Sequence, residues 1–148
     1  MNARLILLVP MMALLLAGPG ASAQSHATLK VVERATTDTV ADIPPAGDSI
    51  GDVLGFANEV FDAANQTKVG SDNGQCTRTA VGKAWECIWT LMLADGQITV
   101  EGPFFDAGDS TLAITGGTDA YERARGEMLL HARNAQGSEY DFTYTILK

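Results

Sequence analysis

The chain has 148 residues, with 10 Lys and Arg against 18 Asp and Glu, and a net charge of −8 at pH 7. That length suits one domain, and the acidic balance excludes a nucleic-acid binder or a protein held to anionic lipid, since both need cationic surface. Two Cys and two His exclude a CxxC…CxxC zinc site, and no metal or other cofactor is expected.

Met1–Ala23 reads as a secretory signal. Arg4 supplies the positive start, Leu5–Ala17 the apolar run broken by Pro10, and Ala21-Ser22-Ala23 the small-x-small cleavage site. The run is shorter than the about 20 apolar residues of a spanning helix. An uncleaved N-terminal anchor is the alternative. Cleavage after Ala23 leaves one domain, 24–148, secreted or periplasmic and without an integral membrane segment.

Thr28–Arg34 has strand composition. Thr36–Gly47, with Pro44-Pro45, reads as a loop. Ile50–Asp62 reads as a strand, because Gly51 and Gly55 would each cost a helix about 1 kcal/mol; a helix is the alternative. Asn65–Gly74, rich in Asn, Gly and Asp, reads as a turn region. Cys76–Ala80 and Ala84–Leu93 form a hairpin. With Val81-Gly82 as a two-residue turn, Ala80 faces Lys83 and Cys76 falls opposite Cys87, close enough to bridge. An exported chain with an even pair points to a disulfide; a free thiol at Cys76 is the alternative. In the second arm Trp85, Cys87, Trp89, Leu91 and Leu93 share one face.

Ala94-Asp95-Gly96 is a hairpin turn, and Gln97–Phe105 the next strand, with Ile98, Val100 and Gly102 on one face. Leu112–Thr115 is a short strand. Gly116-Gly117-Thr118 lacks the Lys and helix of a phosphate loop and reads as a tight turn needing positive φ. Gly126–Arg133 alternates weakly. In the last strand Tyr140, Phe142, Tyr144 and Ile146 share a face. About eight strands and no long helix indicate an antiparallel sandwich or a small closed barrel. First and last strands can pair and remove the sheet edges. Eight strands enclose packed side chains or one small ligand.

Two distant His and no nucleophile motif argue against a catalytic triad. Glu33 stands in an apolar strand. Pointing inward, it would be desolvated and suited to acid/base work; pointing outward, it would be solvated. An inward Asn58 could donate to a ligand oxygen; a structural Asn in a bulge is the alternative. Trp85 and Trp89 suit core or pocket wall.

Gly51–Phe61 resembles a second-strand segment of the allene oxide cyclases. Lys68-Val69-Gly70, Gly74-Gln75-Cys76, Gly96–Phe104 and Asp109–Gly117 fit the same family. Gly116–Gly126 is similar to the dirigent-protein signature. The two families share a fold, and the resemblance covers roughly 28–148. It implies an all-β, eight-stranded antiparallel β-barrel, calycin-like, around a hydrophobic cavity, and a homotrimer or homodimer. It implies catalysis by orientation, with Glu33 as the first-strand acid/base or electrostatic group and Asn58 holding water or a ligand oxygen. Cys76 aligns with a pocket Cys, Ala35 replaces a second Asn, and Phe104 replaces a Tyr. Trp85, Trp89 and Phe104 are the expected pocket wall. Arg125, matching the dirigent Ala-Arg-Gly, pairs with a carboxylate inside the barrel or lies on the surface. The expected function is binding a small apolar or amphipathic molecule and steering its cyclisation or isomerisation. A non-catalytic hydrophobic-ligand carrier and a filled structural barrel are the alternatives.

Overall fold

The computed structural model describes residues 25–147. The signal segment and its cleavage site lie outside the described residues. Nine strands follow in order: β1 His26–Arg34, β2 Thr39–Ala41, β3 Val53–Asp62, β4 Lys68–Ala80, β5 Ala84–Leu93, β6 Gly96–Phe105, β7 Ser110–Gly117, β8 Arg125–Ala132 and β9 Glu139–Leu147. A single 3₁₀ turn, Asp119–Tyr121, joins β7 to β8. All pairings are antiparallel, in the order β1-β9-β8-β7-β6-β5-β4-β3-β2, and a further β1–β3 ladder closes the sheet. Eight strands therefore form a closed barrel, and three-residue β2 lies along β3 as an addition to it.

Alternation decides which side chains fill the barrel. Trp89 and Leu91 of β5, Ile98 and Val100 of β6, Leu112 and Ile114 of β7, and Phe142 and Tyr144 of β9 join one core. Each large apolar side chain withdrawn from water contributes about 1.5–3 kcal/mol. Trp89 meets Phe142 with ring centroids 5.6 Å apart. The expected inward faces of β5, β6 and β9 are observed.

Several local expectations are corrected. The 50–62 segment is strand only from Val53; Ile50 is 70% exposed and Gly51 has φ +99°. The 36–47 loop contains β2. Ala80 faces Ala84, not Lys83, so the hairpin turn has three residues; a bulge between Arg78 and Ala80 restores the register that sets Cys76 opposite Cys87. The turn after β3 is short. Asp62 accepts the Gln66 N–H, Asn65 adopts φ +56°, and β4 starts at Lys68. Gly116 and Gly117 lie within β7, and neither has positive φ. Gly117 is required by close approach: a Cβ there would crowd Gln97 O and Tyr121.

The gap between β1 and β2 positions the site. β1 pairs with Glu59–Asp62 of β3 and β2 with Val53–Gly55, so residues 56–58 have neither partner on that side. The loop 35–38 crosses here. The Asn58 side-chain oxygen accepts the Thr36 N–H and Thr37 N–H at 3.0 Å each and the Thr37 hydroxyl at 2.9 Å. The Thr37 hydroxyl oxygen accepts the Ala57 N–H at 2.8 Å. A side-chain network thus replaces the missing ladder.

Candidate functional site

A cleft opens into the barrel beside this gap. Its walls are aromatic, from Phe56, Trp89, Phe104, Tyr140 and Phe142, with the Cys76–Cys87 disulfide on one side and Glu33 and Asp38 as its carboxylates. The space reaching out to solvent is ≈ 330 Å³, of which ≈ 30 Å³ admits the centre of a water molecule. That room suits one or two waters with the side chains as they stand. Phe56 and Trp89 stand edge to face, with centroids 6.0 Å apart, and so do Phe104 and Tyr140 at 5.9 Å. Phe56, Phe104 and Tyr140 are half-buried, whereas Trp89 and Phe142 are buried.

Glu33 faces inward because it alternates with Val31, a core residue, and pairs with Val60 on one side and Tyr140 on the other. It is 5% exposed. The Asn58 amide donates to the Glu33 carboxylate at 2.8 Å and to Asp38 at 2.7 Å. Both its N–H bonds and its oxygen are therefore committed. A third carboxyl, Asp72, lies on β4 as the pairing partner of Asn58, fully buried. Among the described residues neither Asp72 carboxyl oxygen has a well-formed hydrogen bond from an N–H or O–H. Trp89 Nε1 and Tyr144 Oη are likewise without one.

Burial raises the Glu33 carboxyl to about 7, and the charge on Asp38 adds to this; hydrogen bonds from Asn58 and Asp72 draw it back. Burial also raises Asp72, to about 9, with the charge of Glu33 and their mutual hydrogen bond next in weight. Two carboxyl groups close together in an apolar interior cannot both ionise near neutrality. Tyr140 is pushed up to about 12 by burial and then by Glu33 and Asp38. Tyr144 rises well above its ordinary value, through burial first and then Asp72.

The structure brings Glu33, Trp89, Phe104, Cys76 and Cys87 to the cleft, with Asn58 holding Glu33 from behind. The two cysteines form the disulfide, with no free thiol among the described residues. Trp85 and Arg125 do not line this cleft. Trp85 is buried under the Arg78 guanidinium, 3.9 Å from its ring, where Arg78 pairs with Asp48 at 2.6 Å and Asp106 at 2.7 Å. Arg125 is exposed and donates to the backbone oxygens of Thr115 and Ala124. Sequence reasoning missed Asp72, Asp38 and Phe56. Counting back in twos from inward Cys76 reaches Gly74 and Asp72, so alternation carried the signal for Asp72. Among the described residues no group of His, Cys, Asp and Glu has the arrangement of a metal site.

Solved structures share this barrel, three of them as follows. One is a pyocyanin demethylase: TM-score 0.68, 23% identity, covering 80% of this chain and 99% of that one. A second is AbnU, an exo-specific intermolecular Diels-Alderase: TM-score 0.66, 14% identity, covering 84% and 99%. A third is the pterocarpan synthase dirigent protein GePTS1: TM-score 0.63, 15% identity, covering 94% and 97%. At such identities the likeness establishes the fold, and the reactions belong to those proteins. The allene oxide cyclase family model matches residues 22–137, a span that contains β1 to β8 and both Glu33 and Asn58. With the closed eight-stranded barrel already described, this match establishes that the chain belongs to the allene oxide cyclase family.

Proposed function

We propose that this protein binds a small apolar or amphipathic molecule in the aromatic cleft and steers its cyclisation or isomerisation, with Glu33 as the acid/base or electrostatic group. The observation that carries the reading is a buried carboxyl, poised near neutrality, fixed by Asn58 inside a ring-lined cleft. A carboxyl titrating near ambient pH can take and return a proton during a reaction. The aromatic walls would fix the ligand's conformation, which is the larger part of such catalysis. Among the described residues no Lys, Arg or His lines the cleft, while Glu33 and Asp38 do. The ligand therefore presents an N–H or O–H donor rather than an anionic group. A Diels-Alderase and a pterocarpan synthase among the structural neighbours are in keeping with a ring-forming role. The protein acts outside the cytoplasm after cleavage at Ala23, as a trimer or dimer; the disulfide supports an oxidising compartment.

The small free volume favours a second reading, a filled barrel with an interaction role. One experiment separates them. Native mass spectrometry of the exported protein reports co-purified molecules and assembly. Titration with naphthalene, naphthol and naphthoate, followed by Trp fluorescence, then ranks probes of one shape. Naphthol should bind at least 10-fold more tightly than naphthoate, and Glu33→Gln should abolish that preference, a difference of about 1.4 kcal/mol. No retained molecule and no binding by any probe would establish the filled barrel instead.

A further inference from the structure

Asp72 is buried deeper than the cleft and does not line it. An ionised carboxylate at zero exposure, without a well-formed hydrogen bond, is costly, so such a group holds its proton instead. Its neighbours offer little relief. Asn58 spends both side-chain N–H bonds on Glu33 and Asp38, and only its backbone amide favours the ionised form, in lesser measure. The titratable groups that bear on Asp72 are Glu33 from β1, Asp38 from the following loop and Tyr144 from β9, and none is cationic. The group placed to take the O–H of a protonated Asp72 is the Glu33 carboxylate: Asn58 lies against both, bonded to Glu33 at 2.8 Å and paired across the strands with Asp72, and both carboxyls are buried.

We propose that Asp72 is a neutral carboxylic acid at working pH and a positioning residue for Glu33: it donates its proton as a hydrogen bond to the Glu33 carboxylate and keeps that group ionised toward the cleft. Without this donor, burial would leave Glu33 protonated and unable to act as a base. The pair then carries one proton and one negative charge. In the proposed reaction Glu33 takes a proton from the ligand, whose bonding electrons stay on the ligand, and returns it at another atom. The pair ends with the single proton it began with. This use of the pair rests on the reading of Glu33 given above; the shared proton does not.

Infrared spectroscopy tests it on the full protein without a ligand. At about pH 8, between the two titrations, the pair retains one proton. The wild type should show the carbonyl stretch of a protonated carboxylic acid, and Asp72→Asn should lose it. Asn keeps a donor for Glu33, so the fold is retained. Glu33→Gln is the second variant: it removes the charge facing Asp72, and the acid band should then titrate out at lower pH. No acid band in the wild type, a band that survives in Asp72→Asn, or a titration unmoved in Glu33→Gln would each overturn the proposal. Should every naphthalene probe fail to bind while the band behaves as expected, the pair stands and the ligand reading falls.

Discussion

Asn58 holds two carboxylates with its amide and three donors of the crossing loop with its oxygen. Asn58→Ala strips the acceptor from the Thr36 and Thr37 amides and the donors from buried Glu33. Orphaned buried polar groups cost about 1–3 kcal/mol each, so urea unfolding should show a loss of about 3 kcal/mol. Arg125→Ala, on the surface, should change nothing measurable. Glu33 and Asp72 also set a pH dependence. Their native values lie above their ordinary ones, so between the two the folded protein holds protons that the unfolded chain releases. Stability therefore falls as pH rises, by about 1.4 kcal/mol per pH unit for each such proton. Urea midpoints should drop from about pH 5 toward about pH 9, and Asp72→Asn should flatten that drop. Asp52, Glu59 and Asp62, all held low by hydrogen bonds, act oppositely in acid and make mild acid the optimum. Glu33 was legible because a charge amid Val31 and Val32 must be either solvated or functional. Asp72 lies on the alternating face counted back from Cys76, but Ser71-Asp72-Asn73-Gly74 has the composition of a turn, which hid the strand on which that count depends.

What makes that stretch a strand is the element beside it. β5 carries Trp89 opposite Gly74, and a Cβ at Gly74 would overlap Trp89 and Ile88 O. Gly74→Ala should therefore displace the cleft's Trp89, with a loss of about 2 kcal/mol in stability and a changed near-UV spectrum. Tertiary packing here outweighs local composition. The strands whose inward faces could be read, β5, β6 and β9, each have one face packed and one wetter face, which gives period-2 alternation. β2 could not be read: all three of its residues are exposed, and it exists through its pairing with β3. The cysteine register was legible although the turn length was not, because the bulge beyond Arg78 cancels the extra turn residue. The disulfide spans 11 positions. Reducing it, or replacing both cysteines by Ser, should cost about 3 kcal/mol on a loop-closure account, measured by denaturant midpoint.

At the scale of the whole molecule, strand count and class were legible and closure only in part. Pairing of the first and last strands follows from their composition. The β1–β3 ladder does not, because nothing in Glu59–Asp62 marks which neighbour it takes. Removing residues 139–148 deletes β9 and leaves β1 and β8 as open edges. Such a truncation should lose cooperative unfolding and associate, as seen by chromatography. β1 has a further consequence for how the protein is made. It bonds to β3 and, along its full length from His26↔Leu147 to Arg34↔Glu139, to the final strand. The first barrel strand to be synthesised thus waits for the last before its second edge is satisfied. Contacts so distant in sequence slow folding. The barrel cannot be finished by a nascent chain, and for the export proposed above that delay would keep the polypeptide slack until it has crossed the membrane.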